Sequence, residues 1–266
     1  MLHHHSDVNA LPVIVAVAAV VPAAAYLVAA YRLRGRGDTW SRWYDVSFVA
    51  GCATIVVAVL PLPGAMFTAH MITHLMTGMV APLLLVLGRP ITLVLRVLRP
   101  GPVRRAVVAV AHSVPVGVLV APPVAAILDL GGLWVLYRTP LFSAMHHQPA
   151  LSAVVHLHVF AAGVLFSFAI CQVDPTRRRY GFGLRATTLL LAGAAHAVLA
   201  KGLYGFPPPG SDIALPDLHA GAQVMYYGGD VVEIALATVL AVQWYVAVGR
   251  TRARAARRAD YPVAGS

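Results

Sequence analysis

Residues 65–88 read AMFTAHMITHLMTGMVAPLLLVLG, a run with no Asp, Glu, Lys or Arg. A bilayer core about 30 Å thick is crossed by about 20 apolar residues of helix, so this stretch is long enough to span one. It lacks the apolar–polar alternation that a membrane barrel strand requires. On a helix, His70 and His74 stack on one face, with Met66 one turn before them. Six further apolar stretches occur at about 11–31, 45–62, 114–137, 150–171, 186–204 and 221–248. Pro115 interrupts the long apolar run from Ala106 to Tyr137, because proline removes a helix hydrogen bond. Arg104 to Ser113 are therefore expected on the inner membrane surface.

The composition agrees with this reading. Apolar residues make up 59% of the 266, charged residues 11%, and a formal charge of +10 accompanies them; mean hydropathy is +0.75. A soluble domain is about one quarter charged, so a water-exposed fold is excluded. Basic chains of this charge often meet nucleic acid, but here the arginines fall at the ends of the apolar stretches. Arg32, Arg34, Arg36 and Arg42 form one set, and Arg89, Arg96, Arg99, Arg104 and Arg105 a second. Arg177, Arg178, Arg179 and Arg185 form a third, and Arg250, Arg252, Arg254, Arg257 and Arg258 the last. Only Arg138 and Lys201 lie elsewhere. Cytoplasmic loops are enriched in Lys and Arg. The pattern thus predicts an all-α bundle of seven transmembrane helices over 1–249, N-terminus outside, with a basic cytoplasmic tail at 250–266. The charges follow the first span, as in an anchor and not a cleaved leader. His3, His4 and His5 would then form an outer tip.

Ionisable side chains are costly within a membrane and mark functional sites. At about 1.5 Å of rise per residue, His70, His74, His156, His158 and His196 all fall in the outer half, with Asp129, Asp230 and Glu233 at similar depth. Of the histidines after His5, only His112 lies toward the inner side. His70, His74 and the thioethers of Met66 and Met71 suit copper, Cu(I) above all, since soft donors favour it. His156 and His158, two apart, cannot face one site together; His156 is the favoured member. The plainer alternative is that His158 and His196 are helix-contact residues, and that Asp230 and Glu233 pair with Lys201. His146, His147 and His219 read as solvated loop residues or an entry path. Cys52 and Cys171 read as small apolar fillers. No phosphate-binding loop, phosphorylated-Asp motif or CxxC occurs.

The string AHMITHL at 69–75, followed by VAPLLLVLGRP at 80–90, resembles the HMxxH…APxLLxLGxP signature of the CtaG-type cytochrome c oxidase assembly factors. The similarity continues through VHLH at 155–158, Gly163, Asp174-Pro175, AHA at 195–197, Leu203-Tyr204 and YYGGD at 226–230. It spans about residues 45–248 and looks most like actinobacterial members; Ser167 stands where many members carry an aromatic.

The resemblance implies a multi-pass protein of the bacterial plasma membrane, needed to assemble the oxidase and thought to deliver copper to its copper–haem centre. The expectation is therefore a non-enzymatic copper chaperone with His70, His74, His156, Met66 and Met71 as ligands and His158 and His196 as further candidates. Asp230, Glu233 and Asp129 would balance charge or carry linked protons. Its partners would be the oxidase catalytic subunit, an extracytoplasmic copper donor and the bilayer. A haem-binding redox protein, with histidines as axial ligands, and a copper permease are the alternatives.

Overall fold

In the computed structural model, residues 10–259 are described apart from residue 63, so His3, His4 and His5 lie outside the described residues. Every regular element among them is helical. They are α1 (Ala10–Gly35), α2 (Arg42–Ala58), α3 (Met66–Leu75), a π-helical turn (Met76–Val80) and α4 (Ala81–Leu87). Next come α5 (Pro90–Val97), α6 (Pro102–Ala111), α7 (Val114–Leu119), α8 (Pro122–Arg138) and α9 (Leu141–His147). The chain closes with α10 (Pro149–Cys171), α11 (Phe182–Gly205) and α12 (Leu215–Ala259).

Five helices are long and apolar enough to cross a membrane: Val13–Gly35, Met66–Val97, Pro149–Cys171, Phe182–Gly205 and Leu215–Ala253. A sixth arises if α8 and α9, bent by 78° at their junction, count as one broken span. The expected span at 114–137 is not one helix. It divides into α7 and α8, because Pro122-Pro123 interrupt the backbone ladder a second time after Pro115. The expected span at 45–62 ends earlier, at Ala58, ahead of Pro61. Helix α12 starts before the expected 221 and runs on through the basic residues after 249 as far as Ala259. Helix α6 buries none of its side chains against the bundle.

Helices α3/α4, α10, α8, α11 and α12 pack in a closed ring, with α2 against α4 and α1 against α2 and α5. Lipid is as apolar as leucine, so close backbone approach and polar contacts must hold such helices together. The π turn shows how. Pro82 has no N–H to give to the carbonyl of Gly78 four residues back, and the Ala81 N–H reaches Met76 O instead. The freed Gly78 carbonyl presses on Gly163 of α10, where any Cβ would overlap it. A smaller cluster holds α1 and α2: Tyr26 stacks on Phe48 at 4.2 Å and donates its hydroxyl to Gly88 O at 2.6 Å.

The ends of the helices define two faces. At the arginine end, the Arg36 guanidinium meets Val97 O and the Arg185 guanidinium meets Ile170 O. At the histidine end lie the starts of α3, α10 and α12 and the α8–α9 bend.

Candidate metal centre

Helix α3 begins without a cap of its own: Ala65 at the N-cap offers no side-chain acceptor. Asp217, in the first turn of α12, supplies it from 150 residues away. Its carboxylate accepts from Phe67 N at 2.9 Å, Thr68 N at 2.8 Å and Thr68 Oγ1 at 2.6 Å. A carboxylate is favoured at a helix N-terminus by the free N–H groups and the helix dipole. The bond fixes α3 against α12 and so sets where His70, one turn deeper, points.

His70 faces α8, α9 and α10. Its Nε2 lies 3.1 Å from the Tyr137 hydroxyl, and its ring centroid is 5.0 Å from Phe142, 6.1 Å from His146 and 6.2 Å from His156. The α8–α9 bend produces this gathering. Thr139 Oγ1 donates to Val135 O and accepts from Leu141 N at 3.3 Å, so α9 folds back and carries Phe142 and His146 over the end of α3.

Backbone hydrogen bonds decide the tautomers. A carbonyl can only accept, so an imidazole nitrogen bonded to one must carry the proton. His146 donates Nδ1–H to Phe142 O at 2.7 Å, and His156 donates Nδ1–H to Ser152 O at 2.8 Å. Each therefore keeps a lone pair on Nε2, the state a metal-binding histidine needs, with Nδ1 anchored behind it. His158 is the reverse case. It gives Nε2–H to Leu128 O at 3.2 Å and lies against Gly132 of α8, in an apolar groove between α8 and α10 and away from His70.

A second polar group lies deeper. His74 is 5% exposed and His196 3%, and the Nε2 of each is buried without a partner. An unsatisfied buried polar atom costs about 1–3 kcal/mol. His196 packs on Gly229 of α12, where a Cβ would strike its ring, and its Nδ1 lies 3.3 Å from Glu233 Oε1. Glu233 thus pairs with His196 and not with Lys201, whose ammonium sits 5.2 Å from the Tyr226 ring centroid. Asp129 on α8 neighbours Glu233, and Asp230 is half-buried beside Gly229. His156 and His196 are the titratable neighbours of His74.

The methionines divide. Met66 is 66% exposed at the tip of α3, whereas Met71 is fully buried and faces Gly221 of α12, on another side of the helix from His70. Among the described residues, no three His, Cys, Asp or Glu side chains close on one point as a metal site. Sequence reasoning left His146 as a loop residue and passed over Tyr137. The signal for both was Thr139-Pro140, a break that turns the following residues back over the bundle.

The chain matches the family described as cytochrome c oxidase caa3 assembly factor over residues 24–247. It is 29% identical over 265 residues to an uncharacterized protein of Mycobacterium leprae, covering 91% of this chain and 40% of that protein. An uncharacterized protein of Mycobacterium bovis is likewise 29% identical over 269 residues, covering 93% and 41%. The chain thus spans about two fifths of the length of these relatives. No solved structure matches it.

Proposed function

This chain belongs to the cytochrome c oxidase caa3 assembly-factor family, and we propose that it serves assembly by holding copper at its histidine end and passing it to the oxidase catalytic subunit. The observation that carries the reading is the pair of Nε2 lone pairs on His146 and His156 beside His70. A metal–nitrogen bond of about 2.0–2.1 Å puts two imidazole centroids sharing one ion about 5 to 6.5 Å apart. The spacings of 6.1 and 6.2 Å from His70 fall inside that range; to close on an ion the rings turn inward and His70 Nε2 leaves the Tyr137 hydroxyl. Phe142, Tyr137 and His146 pack around the His70 ring. A ring crowded in this way favours a single ion over a planar haem.

In a seven-span arrangement, the arginine end lies at the cytoplasmic face of the bacterial plasma membrane and the N-terminus outside. The histidine end then opens beneath the outer leaflet, where copper arrives from an extracytoplasmic donor. Three neutral imidazoles hold Cu(I) without the full thiolate set that would make release slow. Handover proceeds by ligand exchange, with oxidase imidazoles replacing His146 and His156 in turn. No bond of a substrate is made or broken, so the role is that of a chaperone and not a catalyst. His74, Asp129 and Asp230 lie below the ion, and the two carboxyl groups balance its charge.

The test is His70→Asn combined with His156→Asn in the full chain, purified in detergent and loaded with Cu(I) under anaerobic conditions. The expected result is one copper fewer per chain than in the parent, with the helical content intact. An unchanged copper content overturns the reading.

A further inference from the structure

We propose that His74 and His196 form a second, deeper station for a monovalent soft cation, Cu(I), coordinated by their two Nε2 atoms with Glu233 orienting His196. The inference rests on the copper reading above and extends it from one site to two in series.

Three features of the bundle point to it. Both side chains are more than nine-tenths buried, and both Nε2 atoms lack a partner. His196 Nδ1 lies 3.3 Å from the Glu233 carboxylate. A carboxylate at that place favours the proton on Nδ1 and raises the basicity of the ring, which puts the lone pair on the buried Nε2. The position of His196 is set by the bare backbone of Gly229, since a Cβ there would collide with the ring.

Tyr137 separates this station from the outer one. Its ring stands nearly perpendicular to both His70 and His74, at centroid distances of 6.1 and 6.2 Å, while its hydroxyl meets His70 Nε2. The two histidines of the AHMITHL motif therefore serve different stations, one on either side of a tyrosine wall. An ion moving inward leaves His70 and is taken up by His74.

The chemistry selects the ion. Two imidazoles without a third ligand suit Cu(I), which accepts two-coordinate geometry, whereas Zn(II) requires about four ligands. A cation held within the membrane also needs a nearby negative charge, and Glu233 supplies one behind His196. No redox step is involved; the ion changes ligands only.

The experiment is an anaerobic Cu(I) titration of the full chain in lipid nanodiscs against a chelator of calibrated affinity. The parent protein is expected to hold two Cu(I). His196→Asn should retain one, at the affinity of the outer station. His70→Asn combined with His156→Asn should also retain one, and X-ray absorption of that form should report a linear two-nitrogen shell. Glu233→Gln is the milder variant, which spares the fold if His196→Asn does not. It should keep both ions but weaken one of them by about 10- to 100-fold, the usual cost of losing such a supporting carboxylate. Zn(II) should leave the inner station empty. A parent that holds a single ion, removed by either histidine change, overturns the second station and leaves the outer site standing. Two ions retained in His196→Asn overturn it as well. A parent that binds no copper overturns both readings.

Discussion

The two ends of the bundle differ in which polar groups they leave without a partner: a carboxylate oxygen and two N–H donors at one, imidazole nitrogens at the other. At the arginine end each carboxylate meets a donor, although Asp45 Oδ1, Trp40 Nε1 and Arg185 Nε are buried without a partner. Asp174 accepts from Ile91 N at 3.3 Å, Thr92 N at 2.8 Å and Thr92 Oγ1 at 2.5 Å; Asp45 pairs with Arg34, and Asp38 with Arg96. At the histidine end, His146 and His156 each have Nδ1 tied to a backbone carbonyl and Nε2 without a hydrogen bond, and His196 has Nδ1 beside Glu233 and Nε2 buried without a partner. Asp217 makes the contrast sharper, because it sits at the histidine end and still behaves like Asp174. Each caps a helix through two backbone N–H groups and one threonine hydroxyl. A carboxylate with its partners supplied by backbone N–H groups is holding the fold; an imidazole whose Nε2 lone pair has no donor is free to take a metal.

The largest expected effect follows from these imidazoles. Removing His70 and His156 together should abolish copper at the outer station, as argued above, while the melting temperature changes little. Next in size is Gly163→Ala. Its new Cβ would meet the Gly78 carbonyl, which belongs to the backbone and cannot rotate aside, so α10 must move off the π turn. Overpacking of this kind costs about 1–3 kcal/mol. It should appear as a lower melting temperature in detergent and as weakened copper binding, because His156 travels with α10.

The two caps give the finest separation of fold from site. Asp217→Ala and Asp174→Ala should each destabilise by about 0.5–2 kcal/mol, the usual cost of a lost cap. Only Asp217→Ala should also weaken copper binding, since it frees the start of α3 one turn from His70. Equal copper affinity in the two variants would break the comparison. Asp174 carries a pH signature too. Burial pushes its carboxyl above the ordinary range, against the opposing pull of its Thr92 and Ile91 bonds. The folded chain therefore holds that proton more tightly than the unfolded one. Stability should fall as pH rises from the ordinary carboxylate range through the raised value. Asp174→Asn should flatten that slope in a series of thermal melts.

Much of this was legible in the sequence, and for local reasons. Charge-free runs of 20 residues mark helices whatever their neighbours are, and the spacing of His70 and His74 fixes a shared helix face. The opposed directions of His156 and His158 follow from the turn of a single helix, and the structure indeed sends them to different neighbours. What escaped was contact between distant segments. Asp217 caps a helix 150 residues before it, and nothing local to either partner announces that bond. His146 reads as a loop residue from its own neighbours, because the bend of 78° that folds α9 back is set just before it, at Thr139-Pro140. Met66 shares the helix stripe of His70, but it starts the helix and so projects past the bundle. Periodicity reports a face; it does not report where that face stops being covered.

The smallest effect concerns Arg96 and Asp38, whose side chains are 37% and 44% exposed and 2.9 Å apart. An ion pair this exposed contributes about 0–1 kcal/mol, because water screens it and two long side chains lose freedom in forming it. Arg96 also donates to Thr39 O at 3.0 Å, so the arginine stays anchored when its carboxylate partner is removed. Asp38→Ala should therefore shift the melting temperature barely at all, and less still at high salt. Its copper content should match that of the parent. A large loss of stability would mean that matched polar groups at the arginine end carry more of the fold than their exposure allows. The division between the two ends would then rest on the histidines alone.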